Sequence, residues 1–162
     1  MHVDALASQQ GGRRPAEFSI DAHGEWFYRG SPIRREGLLR LLEGMLRRAS
    51  GAYVLATPEQ ALRVDVADVP FVVTGYEVLG DAGSQSISFV TSLGVKIPLD
   101  AEHPLFLRTA PDGQTKPYVM VREGLEAVLH RNVFYGLAGI AQERYPGGPY
   151  GVSSNGLFFP LE

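Results

Sequence analysis

The chain has 162 residues, a formal net charge of −3 and 44% hydrophobic residues. This length and apolar content are typical of a folded protein that buries a substantial core. The absence of cysteine excludes disulfides, thiolate metal sites and cysteine nucleophiles. The net charge does not by itself suggest a protein that binds nucleic acid.

The first residues predict a flexible tail. Residues 1–16 mix polar, charged and glycine residues without an apolar pattern, and they lack the apolar core of a signal peptide. No stretch of the chain approaches the roughly eighteen apolar residues of a membrane-spanning helix. We therefore expect a soluble cytoplasmic protein without a membrane partner.

Two segments have the apolar periodicity of helices, about 34–48 and about 131–143. Their apolar positions recur at spacings of three and four, and the spacing predicts that Leu41 and Ile140 point into the core. The apolar positions are Leu38, Leu41, Leu42, Met45 and Leu46 in the first segment, and Val133, Leu137, Ile140 and Ala141 in the second.

The remaining sequence predicts strands and hairpins. Leu62, Val64 and Val66 alternate with charged residues, as in a half-buried strand. The whole pattern predicts an α+β fold of two small lobes, 17–92 and 93–162, each with one helix against an antiparallel sheet.

The order of predicted elements recurs. A hairpin at 26–33 precedes the first helix, and a second hairpin at 53–66 follows it. In the second half, a hairpin at 118–129 precedes the second helix and another at 150–161 follows it. The sequence thus predicts a repeated hairpin–helix–hairpin motif.

No catalytic signature is present, and neither a metal nor a cofactor is predicted. Asp100, Glu102 and His103 are the one cluster of ligand type, but a solvated turn before Pro104 explains them. An enzyme of unrecognised type remains an alternative, with His103 or His130 and a nearby carboxylate as its acid–base pair.

The first helical segment is rich in arginine, which leaves a weak nucleic-acid binder as a further alternative. Glu36 and Glu43 interrupt the basic face, so a solvated helix face is the preferred interpretation. The arginines are Arg34, Arg35, Arg40, Arg47 and Arg48.

Three consecutive aromatic residues, Trp26, Phe27 and Tyr28, are the main local anomaly. Neighbours in a strand point to opposite faces, so one face is expected in the core and the other against a second lobe, a ligand or a partner. The candidate contact surface joins residues from both repeats: Trp26, Tyr28, Arg35, Tyr118, Arg122 and Tyr135. Its arginines predict an anionic group on the ligand or partner.

Several longer runs resemble a bacterial domain-of-unknown-function family, number 1285. They include Gly24–Ile33, Asp68–Phe71, His103–Leu105, Tyr118–Ala127 and the closing Gly156–Leu161. The resemblance extends from about residue 17 to the end. It implies a bacterial cytosolic protein of two small α+β lobes with related motifs and no established activity, for which a signalling or scaffolding role has been suggested.

The preferred interpretation is a non-enzymatic binding module, in which the junction of two lobes holds a small anionic ligand or a segment of an unknown protein. The sequence does not define the oligomeric state.

Overall fold

The computed structural model describes residues 15–81 and 83–162, so the expected tail at 1–16 lies almost entirely outside the described residues. The described ranges contain fifteen strands and two helices. The helices are α1 (Glu36–Met45) and α2 (Arg131–Ile140). The strands are β1 (Phe18–Ile20), β2 (Trp26–Tyr28), β3 (Ser31–Pro32), β4 (Leu46–Ala49), β5 (Ala52–Ala56), β6 (Ala61–Val66), β7 (Phe71–Leu79), β8 (Ser86–Thr91), β9 (Lys96–Pro98), β10 (Leu105–Thr109), β11 (Thr115–Arg122), β12 (Leu125–Leu129), β13 (Gln142–Glu143), β14 (Tyr150–Ser154) and β15 (Leu157–Pro160).

The chain divides into two compact units. The N-terminal unit ends at Pro70 and also includes Glu123–Leu125, and the C-terminal unit holds Phe71–Arg122 and Glu126–Glu162. This division differs from the boundary expected after residue 92. The reason is long-range pairing: β7 lies parallel to β12 and antiparallel to β8, so these strands belong to one sheet.

The N-terminal unit is a six-stranded sheet, in the order β3-β2-β1-β6-β5-β4, with α1 packed against β5. β1 is antiparallel to β2 and parallel to β6. Its last residue, Ile20, stands between Trp26 and Val66. Ile20, Trp26, Leu46 and Leu55 are buried and form part of the core of this unit.

The C-terminal unit has a six-stranded sheet, in the order β10-β11-β12-β7-β8-β9, and a three-stranded sheet, β13-β14-β15. Helix α2 packs against β7 and β14. The buried side chains of Phe89, Tyr118 and Leu137 contribute to its core.

The expected fold class needs correction. Strands dominate, so the protein is mostly β. Each six-stranded sheet is mixed rather than antiparallel, because each contains one parallel pair, β1 with β6 and β12 with β7. Two parallel neighbouring strands must be joined by a long connection. Because the paired strands are far apart in the sequence, no local pattern predicts that they pair.

The expected helices are longer than the observed ones. α1 ends at Met45 because residues 46–49 form β4 and pair with β5, with Leu46 opposite Leu55. The expected burial of Leu41 and Ile140 is wrong: their exposed fractions are 60% and 41%. Leu42 is buried instead, and since successive helical residues are about 100° apart, Leu41 turns away from the sheet.

The order hairpin–helix–hairpin occurs twice. β2 and β3 precede α1, and β5 and β6 follow it; β11 and β12 precede α2, and β14 and β15 follow it. Both helices have ten residues, and a short strand begins within two residues of the end of each. No helix in the described part of the chain is long and apolar enough to cross a membrane.

Candidate binding cleft of the N-terminal unit

An open cleft of about 880 Å³ lies within the N-terminal unit. It is formed by the start of β1, the β2–β3 hairpin, the segment leading into α1, two residues of α1 and one residue of β6. Its lining residues, which define "the cleft" below, are Glu17, Phe18, Tyr28, Arg29, Ser31, Pro32, Ile33, Arg34, Arg35, Leu38, Leu42 and Leu62.

A tight turn places the β2–β3 side of the cleft. Tyr28 pairs with Ser31, so Arg29 and Gly30 form a two-residue turn in which both have positive φ, 49° and 84°. Two consecutive residues with positive φ match the twist of the two strands that a two-residue turn connects. Arg29 tolerates this backbone because Glu17 holds it: the Arg29 backbone N–H donates to the Glu17 carbonyl at 2.7 Å.

Aromatic side chains form one wall of the cleft. Phe18 of β1 stands directly opposite Tyr28 of β2, and their ring centroids are 4.9 Å apart, tilted by 48°. The Arg29 guanidinium lies 5.2 Å from the Tyr28 ring centroid. Leu42, from α1, is buried, so it belongs to the floor of the cleft.

The positive charge of Arg29 is neutralised within the cleft by Glu17. The Glu17 carboxylate accepts hydrogen bonds from Arg29 Nε at 2.7 Å and from the Tyr28 hydroxyl at 3.2 Å, and it forms an ion pair with Arg29. The hydrogen bond and charge of Arg29 lower the pKa of the Glu17 carboxyl, and the Tyr28 hydroxyl adds to the effect. Glu17 is therefore ionised at neutral pH.

Two cationic groups remain. The Arg34 and Arg35 side chains are exposed and make no hydrogen bond or ion pair with any residue that the structure describes. Three arginines and one glutamate give the lining a formal charge of +2. The cleft thus combines an apolar wall with two guanidinium groups available to an anion.

Two of the six residues of the expected contact surface, Tyr28 and Arg35, line this cleft. Trp26 does not, because it is only 2% exposed and lies in the core. The two aromatic rings share one face of β2, as residues two apart must. We expected one face of β2 to lie in the core and the other to form the contact surface, and this expectation is wrong. The same face of β2 is buried in the core at Trp26 and lines the cleft at Tyr28.

The other three expected residues lie in the C-terminal unit. Tyr118 is fully buried, at 0% exposure, with the Arg108 guanidinium 4.1 Å from its ring centroid, so it is a core residue. Arg122 is half-buried, 5.6 Å from the Phe71 ring centroid. Tyr135 is 65% exposed on α2. The buried Tyr118 cannot contribute to a contact surface, and a surface joining Arg122 and Tyr135 to Tyr28 and Arg35 stays a prediction.

The sequence did not single out Glu17, Phe18 or Leu38 as site residues. Glu17 enters the site through its contacts with Arg29, twelve residues later, which only the pairing of β1 with β2 brings together. The Arg29-Gly30 pair was the available signal, because a two-residue turn fixes which residues face each other across a hairpin.

The histidines of the enzyme alternative have structural partners. His103 Nδ1 lies 2.8 Å from Asp100 Oδ1, and the same carboxylate accepts the backbone N–H groups of Glu102 and His103. The His130 ring accepts the Asn132 backbone N–H at 3.1 Å and so caps α2. No group of three or more candidate metal ligands occurs within the described ranges.

The arginines of the nucleic-acid alternative are largely engaged within the N-terminal unit. Arg40 pairs with Glu36 at 2.7 Å, Arg47 donates to the Gly44 and Leu46 carbonyls, and Arg48 lies 4.0 Å from the Tyr53 ring centroid. Of the five, Arg34 and Arg35 alone face the cleft.

The fold and cleft define a strand-rich protein of two units, and comparison with known proteins gives its family. Residues 12–69 match the N-terminal domain of the DUF1285 family, a domain of unknown function, and residues 70–161 match its C-terminal domain. The chain therefore belongs to the DUF1285 family. The two matches meet where the N-terminal unit ends.

Two solved structures of this family are similar to the chain. A DUF1285 family protein from Silicibacter pomeroyi DSS-3 is 35% identical with a TM-score of 0.82, over 91% of this chain and 80% of that one. A DUF1285 family protein from Shewanella baltica OS155 is 25% identical with a TM-score of 0.61, over 76% of this chain and 91% of that one. No curated protein matches the chain.

Proposed function

We propose that this protein is a binding module whose cleft takes a small amphipathic anion, that is, a molecule with an apolar body and an anionic group. The observation that carries the proposal is the cleft itself, which places Arg34 and Arg35, both without a partner among the described residues, beside an apolar wall. The signalling or scaffolding role suggested for the family stays a prediction.

The apolar wall supports an apolar body for the ligand. A volume of about 880 Å³ is within the range of about 300–1,000 Å³ that small-molecule sites occupy. Phe18, Tyr28, Ile33, Leu38 and Leu62 offer rings and aliphatic side chains to this space. Covering them with a ligand would remove apolar surface from water, which is favourable.

The composition of the lining favours binding over acid–base catalysis. Its titratable side chains are Glu17, Tyr28 and three arginines, and Glu17 is held in an ion pair with Arg29. Neither histidine of the enzyme alternative lines the cleft.

The edge of the sheet in the N-terminal unit also argues against a peptide ligand that would pair with the sheet as a further strand. β3 is the edge strand beside the cleft, and its second residue is Pro32. Proline has no N–H to donate to an added strand. A compact ligand that lies in the cleft suits this edge better than an extended segment of another protein.

Binding of decanoate, measured by its displacement of the fluorescent probe anilinonaphthalene sulfonate, tests the proposal. Leu38 lines the cleft and Leu41 does not, although both are exposed on α1. We expect Leu38→Asp to weaken decanoate binding by about tenfold or more, because it adds a like charge and removes apolar contact. Leu41→Asp is the matched control and should bind like the wild type.

Two results would overturn the proposal. One is the absence of saturable binding of decanoate or the probe to the wild-type chain. The other is equal binding by the Leu38→Asp and Leu41→Asp variants, both shown by circular dichroism to be folded, because binding would then lie outside the cleft.

A further inference from the structure

We infer that the anionic group of the ligand is a phosphate monoester dianion, so that the ligand class is the monoalkyl phosphates, in which an apolar chain or ring system ends in a phosphate. This inference rests on the proposed function of the cleft. It adds the charge and chemistry of the group that Arg34 and Arg35 recognise.

The count of uncompensated charges carries the inference. Arg29 is neutralised by Glu17, at 2.7 Å, which leaves the two guanidinium groups of Arg34 and Arg35. A carboxylate or a sulfate ester carries one negative charge and would leave one of these uncompensated. A phosphate monoester above its second pKa, which is about 6, carries close to two charges and offers three acceptor oxygens.

The donors also suit a phosphate. Each guanidinium can donate two parallel hydrogen bonds to neighbouring oxygens of a phosphate. Arg34 and Arg35 are consecutive and both line the cleft, with Leu38 the next lining residue along the chain. The phosphate would thus lie at the start of α1 while the apolar chain follows the wall towards Leu42 and Leu62.

The charged side chains that line the cleft are carboxylate and guanidinium groups, whose ordinary pKa values lie well away from about 6. The charged groups of the lining are Glu17, whose pKa is lowered, and three arginines, and none of the lining residues is a histidine. On the adjoining elements, Glu36 pairs with Arg40 on α1, and Arg63 pairs with Asp65 on β6. Helix α1 also carries the buried Glu43. The arginine variants below distinguish a change in the ligand's charge from a change in these neighbouring groups.

Decyl phosphate and decyl sulfate form a matched pair of probes, since both have a tetrahedral head group but only the phosphate gains a second charge near pH 6. Binding to the 162-residue chain is measured by isothermal titration calorimetry below the micelle concentration. We expect the affinity for decyl phosphate to rise about tenfold from about pH 5 to about pH 7.5, and that for decyl sulfate to change less than about twofold.

Variants assign the effect to the two arginines. Arg34→Gln with Arg35→Gln should remove both the pH dependence and the preference for phosphate over sulfate. Arg131→Gln with Arg144→Gln is the control: it removes the same charge from exposed positions of the C-terminal unit and should bind like the wild type. If the control loses the preference as well, the effect reflects net charge and the inference fails.

A phosphate monoester can be a free molecule or a lipid head group, and flotation with phosphatidylcholine vesicles, with and without phosphatidate, distinguishes these sources. Retention only on phosphatidate vesicles places the dianion in a membrane, and capture of decyl phosphate without vesicle retention places it in solution. Both results support the dianion.

Equal affinities for decyl phosphate and decyl sulfate at about pH 7.5, where the phosphate is a dianion, would overturn the inference and leave the proposed binding function in place. If decanoate shows no saturable binding to the wild-type chain, the proposed function itself is wrong.

Discussion

The Glu17–Arg29 pair sets the charge of the cleft at the scale of single residues. Arg29 is held by its backbone N–H, its guanidinium and the neighbouring Tyr28 ring. An exposed ion pair of this kind contributes little to stability. The ion pair affects the charge of the cleft instead, because it neutralises one of the three arginines in the lining.

Neutralising Glu17 should therefore strengthen anion binding. In Glu17→Gln, Arg29 loses its counter-ion and joins Arg34 and Arg35, so the affinity for decanoate should rise by roughly two- to fivefold at low salt and less at high salt. Calorimetric titration at two salt concentrations measures this. Glu59→Gln, in an exposed turn outside the cleft, is the control, and unchanged or weaker binding by Glu17→Gln would contradict the assignment.

The Asp100–His103 pair predicts an acid-side change in stability. Burial raises the pKa of the Asp100 carboxyl, but hydrogen bonds from the His103 ring and from the backbone N–H groups of His103 and Glu102 outweigh it, and the pKa is lowered overall. A carboxyl with a lowered folded-state pKa stabilises the fold above its unfolded pKa. This contribution is lost as the pH falls through the folded-state pKa.

Asp100→Asn should accordingly lower the melting temperature at neutral pH, and the difference from the wild type should shrink as the solution becomes more acidic than the folded-state pKa. Glu102→Gln, in the same turn, is the control and should have little effect at either pH. Thermal melts followed by circular dichroism measure both variants. A difference that is constant with pH would show that the substitution acts through geometry alone.

At the scale of elements, hairpins were predictable and helix ends were not. Asn155-Gly156 and Arg29-Gly30 are turns with positive φ at both residues, and that preference is local to two residues. The end of α1 depends instead on β4 pairing with β5. The helical pattern continues through Leu46, so the competing strand is invisible to periodicity.

The phase of α1 leads to a stability prediction. Leu42→Ala removes a buried side chain and should cost about 2–5 kcal/mol in the free energy of unfolding. Leu41→Ala, at an exposed position one residue away, should cost less than about 1 kcal/mol. Urea denaturation of the two variants measures the difference, and a larger loss in Leu41→Ala would mean that the helix packs on its other face.

At the scale of the whole molecule, the family and the repeated order of elements followed from the sequence, whereas most of the contact surface did not. Trp26 and Tyr28 occupy the same face of one strand, and their different burial depends on β1 and β6, which no local pattern pairs. Tyr118 is an aromatic residue of a predicted hairpin, but its strand lies inside a six-stranded sheet. These differences in side-chain burial depend on the order of the strands in each sheet, which is defined only in the folded chain.

Chemical-shift mapping of the 162-residue chain during titration with decanoate tests whether the ligand binds in this cleft. We expect the largest amide shifts on residues of the cleft, among them Glu17, Tyr28 and Leu38. Leu38→Asp should remove these shifts, and Leu41→Asp should keep them. Saturable shifts confined to the C-terminal unit, or unchanged in Leu38→Asp, would contradict the claim that this cleft is the binding site.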